Sequence, residues 1–468
     1  MPRVSPRTVA YAALVSLLLQ LGCAGDTRDG GPGKHETDAL HDAMHQLTMV
    51  MVYDIFSPPQ ASRVYAYASV AAYEAIRHGH PGYRSLAGQL NGLTPVPAPD
   101  STLQYSMPLA GVHALMTVGR ALTFSRPRMD SLGTAMDERF RTGGIDSPVY
   151  ERSIAYGDTV AKHILAWAAK DRYIQSRGYA KFTVAPAPAR WMPTPPAYMD
   201  AIEPHWGILR PFVMDTGSQF KPPPPPPFDT TTGSPYRAMA QEVIDVSSRL
   251  TDEQSEIARF WDCNPYVVNV QGHAMFATKK ITPGGHWMEI VAIASRQADA
   301  SVVQSAEAYT LTALALADAF ISAWDEKYRS NLIRPETTIN AFLDEKWMPL
   351  LQTPPFPEYP SGHSVISAAA AVALTKVYGS AFAFIDSSEV LFGLPARSFT
   401  SFDAAAAEAA ISRMYGGIHF RPAIDNGVTM GRQVGALVNE RITLRDSSVA
   451  PKRTVASAPG SRARVGVP

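Results

Sequence analysis

The chain has 468 residues, 46% hydrophobic and 18% charged, enough to bury one large core or two medium ones without disulfides. Lys+Arg and Asp+Glu both number 42, giving a formal charge of zero, which excludes a nucleic-acid or polyanion binder working through a basic surface. A cationic site here has to be a local pocket.

The first segment carries Arg3 and Arg7, then an apolar run from Val9 to Leu21. It reads as an export signal over 1–22, too short for an ordinary membrane span. Leu21-Gly22-Cys23 resembles a bacterial lipoprotein cleavage site, although Gln20 departs from the usual Leu. Lipidation of Cys23, followed by Ala24, would place the protein at the outer membrane, with periplasmic or secreted forms as the alternatives. Membrane attachment is then expected only through the lipid. Residues 23–36 read as a flexible tether. Cys263 is the remaining thiol, expected to be buried or inert.

From 37 to 445 the pattern is that of one helical domain. Ala66, Val70 and Tyr73 share a helical stripe, as do Leu109, Val112, Leu115 and Met116. Further helices are expected near 127–141 and 148–171. Residues 182–236 break the pattern, because Pro222–Pro227 cannot form a helix interior. Trp191, Met192, Trp206 and Phe212 make an ordered loop over a cavity mouth a better reading than a free polyproline linker. Helices resume over 236–250, 251–262, 287–296 (after a Gly284-Gly285 break), 298–328, 361–378 and 402–415. Asp403 is the expected N-cap of the 402–415 helix, and a final helix runs from Pro422 to about Thr443. Strand signals are scarce, so the chain reads as predominantly α. The tail 446–468 has no apolar period and reads as disordered.

Three segments of the half spanning 236–445 carry chemistry. Lys327 and Arg334 lie seven residues apart, two turns of one helix if that helix continues. Ser361 and Gly362, in Pro360-Ser361-Gly362-His363, fall at a helix N-terminus, where free amides favour an anion. Arg413 sits in the apolar run AAAAEAAISRMY, with His419 beyond its end. A buried Arg there needs a partner, and an oxyanion supplies one. Each segment alone has a bland reading: surface cations at a helix end, a Ser N-cap with an incidental His, or a core Arg.

Together, in this order and spacing, they resemble the signature shared by vanadium-dependent haloperoxidases and type 2 phosphatidic acid phosphatases, over about 320–425. The resemblance implies an all-α fold of two packed four-helix-bundle halves and a vanadate cofactor. It implies that Lys327, Arg334, Arg413, Ser361 and the Gly362 amide bind equatorial oxygens. His363 would be the acid–base, and His419 the ligand of vanadium or the nucleophile on phosphorus. Trp324 and Phe356 are similar to the aromatic pair lining the halide pocket of fungal-type chloroperoxidases, though such residues are commonly core. Asp262 resembles a carboxylate that pairs with the second Arg. The family places an acid four residues after the final His. Here that position is Ala423, so Asp425 or a backbone carbonyl is expected to orient His419.

The expected function is vanadate-dependent oxidation of chloride or bromide by hydrogen peroxide to hypohalous acid, with an organic acceptor as a further partner. A secreted acid phosphatase working through phosphohistidine is the alternative. His41/His45 and His78/His80 are expected to be structural. His205 and His286 are expected to lie in loops that reach the pocket.

Overall fold

The computed structural model describes residues 32–446 except Pro186. The export signal, Cys23 and residues 447–468 lie outside the described residues. The expected tether is shortened from its far end, because α1 (Pro32–Tyr53) already begins at Pro32. Asp446 is tied down as well: its N–H donates to Gly82 O at 2.8 Å, and its carboxylate accepts from Arg84 at 2.6 Å.

The first half comprises α1, α2 (Pro58–Ile76), α3 (Met107–Leu122), α4 (Arg126–Thr142) and α5 (Ser147–Ala168), followed by the short α6 (Tyr173–Arg177). The second half contains α7 (Pro235–Ser247), α8 (Asp252–Phe260), a hairpin of β1 (Val268–Gln271) and β2 (Ala274–Ala277), α9 (Pro283–Gln297), α10 (Val302–Ser330) and α11 (Pro335–Phe342). It continues with α12 (Gly362–Tyr378), a second hairpin of β3 (Phe384–Asp386) and β4 (Arg397–Phe399), α13 (Phe402–Tyr415) and α14 (Arg421–Arg441). Both hairpins are antiparallel, pairing Val268 with Ala277 and Phe384 with Phe399. Among the described residues, no helix is long and apolar enough to cross a membrane.

Helix starts follow their caps. Ser57, Ser106 and Ser234 each accept the N–H three residues on, and each is followed by Pro in the first turn. Thr251 and Ser301 form full capping boxes with Gln254 and Gln304. Two expectations are corrected here. Gly284-Gly285 is not a break but the first turn of α9, capped by Thr282. Asp403 is not the N-cap of α13: Ser401 accepts Ala404 N–H at 3.0 Å, and Asp403 sits in the first turn.

The central helix α10 packs against α2 of the first half and against α9, α12 and α14 of the second, so one continuous core spans both halves. Its buried Asp318 accepts three backbone N–H groups, from Phe212, Val213 and Met214, at 2.7 to 2.9 Å. That pins the Pro-rich loop to the core, although burial still holds the carboxyl up at about 6. Trp191, Trp206 and Phe212 are buried and Met192 is exposed. The loop is ordered against the body as expected.

Helices α12 and α14 lie in close contact because Gly427, Gly431 and Gly435 form a stripe on α14. A Cβ on Gly431 would stand 2.0 Å from Val365 O. Gly431→Ala should therefore cost about 3 kcal/mol in urea unfolding, through overpacking against backbone. Gly133→Ala, in α4 with nothing within 4 Å of the new atom, should instead stabilise by about 0.5–1 kcal/mol. Equal effects at the two positions would show that the α12–α14 contact is looser than described.

Candidate active site

Helices α2, α9 and α12 begin at one enclosed cavity, with Pro58, Pro283 and Gly362 in its wall. Their positive ends would favour an anion there. Phe320, Trp324, Phe356, His363, Arg413, Ile418 and His419 complete much of the lining, with Cys263 and Asn264 on the α8 side. The sequence-derived constellation thus converges on one place.

Lys327 and Arg334 do not share a helix. Chain direction changes at Asn331, which adopts the left-handed conformation (φ 48°), and Arg334 is the N-cap of α11. Both cations are fully buried, behind the Phe356 and His419 side chains that line the cavity and outside the lining themselves. Lys327 Nζ donates to the carbonyls of Pro357 (3.0 Å), Glu358 (3.1 Å) and Pro360 (2.5 Å), which accounts for all three ammonium protons. Arg334 donates to Phe356 O, Ile418 O and, at 3.2 Å, His419 Nε2. Arg413 donates one N–H to Trp261 O at 2.7 Å, leaving Nε and Nη2 buried without a hydrogen-bond partner. Asp262 stands 3.8 Å from Arg413 Nη2 and bonds Lys280, so the expected carboxylate–arginine pairing is present.

Ser361 is the N-cap of α12. Its hydroxyl accepts Ser364 N–H at 3.3 Å, and its own N–H donates to Ala423 O at 3.0 Å. Ser361 therefore shapes the turn and is not part of the cavity lining. Gly362 does line it, and a Cβ there would lie 3.5 Å from Trp324. His363 Nε2 is buried and has no hydrogen-bond partner. Trp324 and Phe356 pack with ring centroids 4.9 Å apart. Trp324 Nε1 donates to Ile202 O, so the Pro-rich loop backs this pair, but none of its residues lines the cavity.

The group orienting His419 is Glu358, not Asp425 and not a backbone carbonyl. His419 Nδ1 donates to Glu358 Oε1 at 2.9 Å, and the same oxygen accepts Phe420 N–H at 2.9 Å. This leaves the unprotonated Nε2 facing Arg334 and the cavity. Asp425 is exposed on α14, one turn away on the wrong face. The clue lies in Glu358-Tyr359-Pro360-Ser361, where the acid precedes the middle segment instead of following the last histidine.

Electrostatics point to an anion. Burial holds Lys327 well below its ordinary value, helped by Arg334, while the surrounding carbonyls hold its protons in place. Burial brings Arg334 down to about 10 and lowers Arg413. Burial, then the neighbouring cations, keeps His363 and His419 well below the usual histidine range, so both are neutral. Burial raises Glu358 to about 7. Several buried cations face very little negative charge, and Arg413 Nε, Arg413 Nη2 and His363 Nε2 are buried without a hydrogen-bond partner. Each buried orphan costs on the order of 1–3 kcal/mol. A tetrahedral oxyanion, all acceptor, fits this donor set.

The remaining histidines fall elsewhere. His41 bonds Tyr309 OH at 2.8 Å, His45 pairs with Glu289, and His78 contacts Arg77. His205 bonds Ala180 O and is not part of the lining. His286 is buried within α9, not in a loop.

A model of the VCPO second helical-bundle domain matches residues 307–445. The crystal structure of a bacterial vanadium-dependent iodoperoxidase is 51% identical, covering 88% of this chain and 98% of its own, with a TM-score of 0.83. Holo and apo structures of a bacterial vanadium-dependent chloroperoxidase share the fold at 18% and 20% identity. Their TM-scores are 0.63 and 0.62, with 83% and 81% of this chain covered and 93% and 92% of theirs. No curated protein matches.

Glu358→Gln should weaken orthovanadate binding about 10–100-fold, whereas Asp425→Asn should leave it unchanged. The reverse pattern in a binding titration would return the orienting role to Asp425. Sulfate, whose charge is constant through the neutral range, should bind more tightly as pH falls. An anion in the cage raises the depressed histidines, so the bound form holds more protons and acid favours it. The expected slope is about tenfold per pH unit for each proton taken up, and a pH-independent affinity would exclude this coupling.

Proposed function

Because the chain belongs to the vanadium-dependent haloperoxidases, oxidoreductases that work with a vanadate cofactor on hydrogen peroxide and a halide, we propose that its halide is iodide. The carrying observation is the iodoperoxidase relative, 51% identical along nearly its whole length. The aromatic pair alone, through its resemblance to that of chloroperoxidases, suggests chloride. Iodide, as the largest of the three ions, loses least hydration on entering a cavity walled by Phe320, Trp324 and Phe356, because the Born cost falls with radius. Arg334 and Lys327 lie 5.0 and 5.1 Å from the Phe356 ring centroid, which keeps that wall electropositive enough for an anion.

The residues present fit vanadate. In this reading Arg334, Arg413 and the Gly362 amide hold its oxygens, and His419 Nε2 is its protein ligand. Ser361 acts by building the turn. Lys327 contributes buried positive charge through the carbonyls it binds. Bound vanadate supplies a Lewis-acidic centre that activates peroxide for two-electron oxidation of halide. Glu358 fixes the His419 tautomer so that a lone pair, not a proton, faces the centre. His363, neutral and without a hydrogen-bond partner at Nε2, would be the residue that accepts a proton from peroxide and gives it back to the leaving oxygen. Iodide, peroxide and one proton then yield hypoiodous acid and water. The cations are preorganised, so no dipole has to turn as charge shifts.

The N-terminal leader supports export and a lipid anchor at Cys23, with 37–445 as the catalytic domain. Vanadate-loaded protein should oxidise iodide with peroxide at a kcat/KM well above that for bromide, with chloride inert. Comparable turnover of bromide or chloride would displace the iodide reading. Hydrolysis of nitrophenyl phosphate without any halide oxidation would favour phosphohistidine chemistry at His419 instead. In the native host the activity should sediment with membranes, and a wholly soluble activity would remove the anchor.

A further inference from the structure

Behind the cavity wall lies a second cluster that the oxyanion site does not use. Cys263 follows α8, His286 lies in the first turn and a half of α9, Asp386 ends β3, and Glu389 comes from the turn after it. His286 Nδ1 is 3.3 Å from Cys263 Sγ and 3.2 Å from Glu389 Oε1, and those two atoms are 3.6 Å apart. The other ring nitrogen, Nε2, bonds Asp386 Oδ2 at 2.8 Å, and Asp386 Oδ1 accepts from Ser388. All four side chains are more than nine-tenths buried.

Hydrogen bonds can satisfy Cys263, His286 and Glu389, with the thiol placed to donate to Glu389 and His286 Nε2 to Asp386, yet two carboxylates are buried beside a single imidazole. Among the described residues, these are the three side chains whose His, Cys and carboxylate donor atoms come close enough to share one ion. Ligand bonds of about 2.0–2.3 Å at tetrahedral angles require donor atoms about 3.3–3.6 Å apart, close to the triangle observed.

We propose that Cys263, His286 and Glu389 bind a divalent metal ion of the zinc class, with Asp386 as the carboxylate that orients His286. Mixed sulfur, nitrogen and oxygen donors in a tetrahedral arrangement select zinc over magnesium or calcium. On binding, the Cys263 thiol proton leaves to solvent and the thiolate forms the bond, with no change in oxidation state. The carboxylate–histidine–metal arrangement fixes the ring, as in established sites. Cys263 also lines the active-site cavity, which provides the entry route.

The position gives the ion a job. Trp261 stacks on the His286 ring at 4.5 Å, its carbonyl accepts from Arg413, and Asp262 faces the same guanidinium. A metal there would clamp residues 261–263 to α9 and to the β3–β4 hairpin, holding the support of Arg413 in place.

The test uses the untagged full chain, reduced, chelator-treated and titrated with cobalt(II). One equivalent should bind with a near-ultraviolet thiolate-to-cobalt band and the strong visible bands of four-coordination, and one equivalent of zinc should bleach them. Cys263→Ser should lose the thiolate band, and Asp386→Asn should bind cobalt about 10–100-fold more weakly. Zinc should also slow the reaction of the wild-type Cys263 thiol with a disulfide reagent. Wild-type protein that gives only weak six-coordinate bands, or whose thiol reacts equally fast with and without zinc, overturns the proposal, even if both variants fail to fold.

Discussion

The cost of burying Lys327, Arg334 and Arg413 together organises this molecule. Guanidinium and ammonium groups out of water are tolerable only if every donor is answered, and here most answers come from backbone carbonyls. The segment 354–360 offers its carbonyls inward to Lys327 and Arg334, and it can do so only because it is neither helix nor strand. Irregular backbone at the site is therefore a requirement of the charges. The helices around it, anchored by α10, hold that backbone still.

The same constraint explains why the proposed chemistry needs so little motion. Cations fixed by carbonyls cannot relax towards water, so their field stays directed at the cavity. The neutral histidines follow from that field, as does the raised Glu358. One carboxylate serves as counter-charge, as orienter of His419 and as acceptor for Phe420 N–H.

Much of this was legible in the sequence, for a physical reason. Helices announce themselves through apolar period and through Ser, Thr and Pro at their starts, and the long helices with an expected span fall within a few residues of it. By contrast, α1 to α3 are marked only by apolar stripes or, at the start of α1, read as tether. The hairpins escaped notice because they are short, and the Ala274–Ala277 strand is exposed throughout, so no alternation marks it. Arg413 was legible because a cation in an apolar run is anomalous, and the rest of the cage was legible only through the resemblance of the three segments to the family signature. Glu358 was not, since its partner lies sixty-one positions away and only the fold brings them together. The cap at Ser401 and the turn at Asn331 were misjudged for a simpler reason: several polar residues near a helix end can each do the work, and local pattern does not rank them.

Moving the orienting acid to position 358 has an effect on the far side of the site. Ala423 needs only to present its carbonyl to Ser361, and its methyl group is fully enclosed. The start of α14 is thereby released from catalytic duty and given over to fit. It can descend onto α12 along its glycine stripe until backbone meets backbone, with no charged side chain to hold it off. The segment bearing His419 is thus seated by shape, and the one bearing Glu358 by charge. Drift in either surface would have to be matched by the other to keep that imidazole aimed.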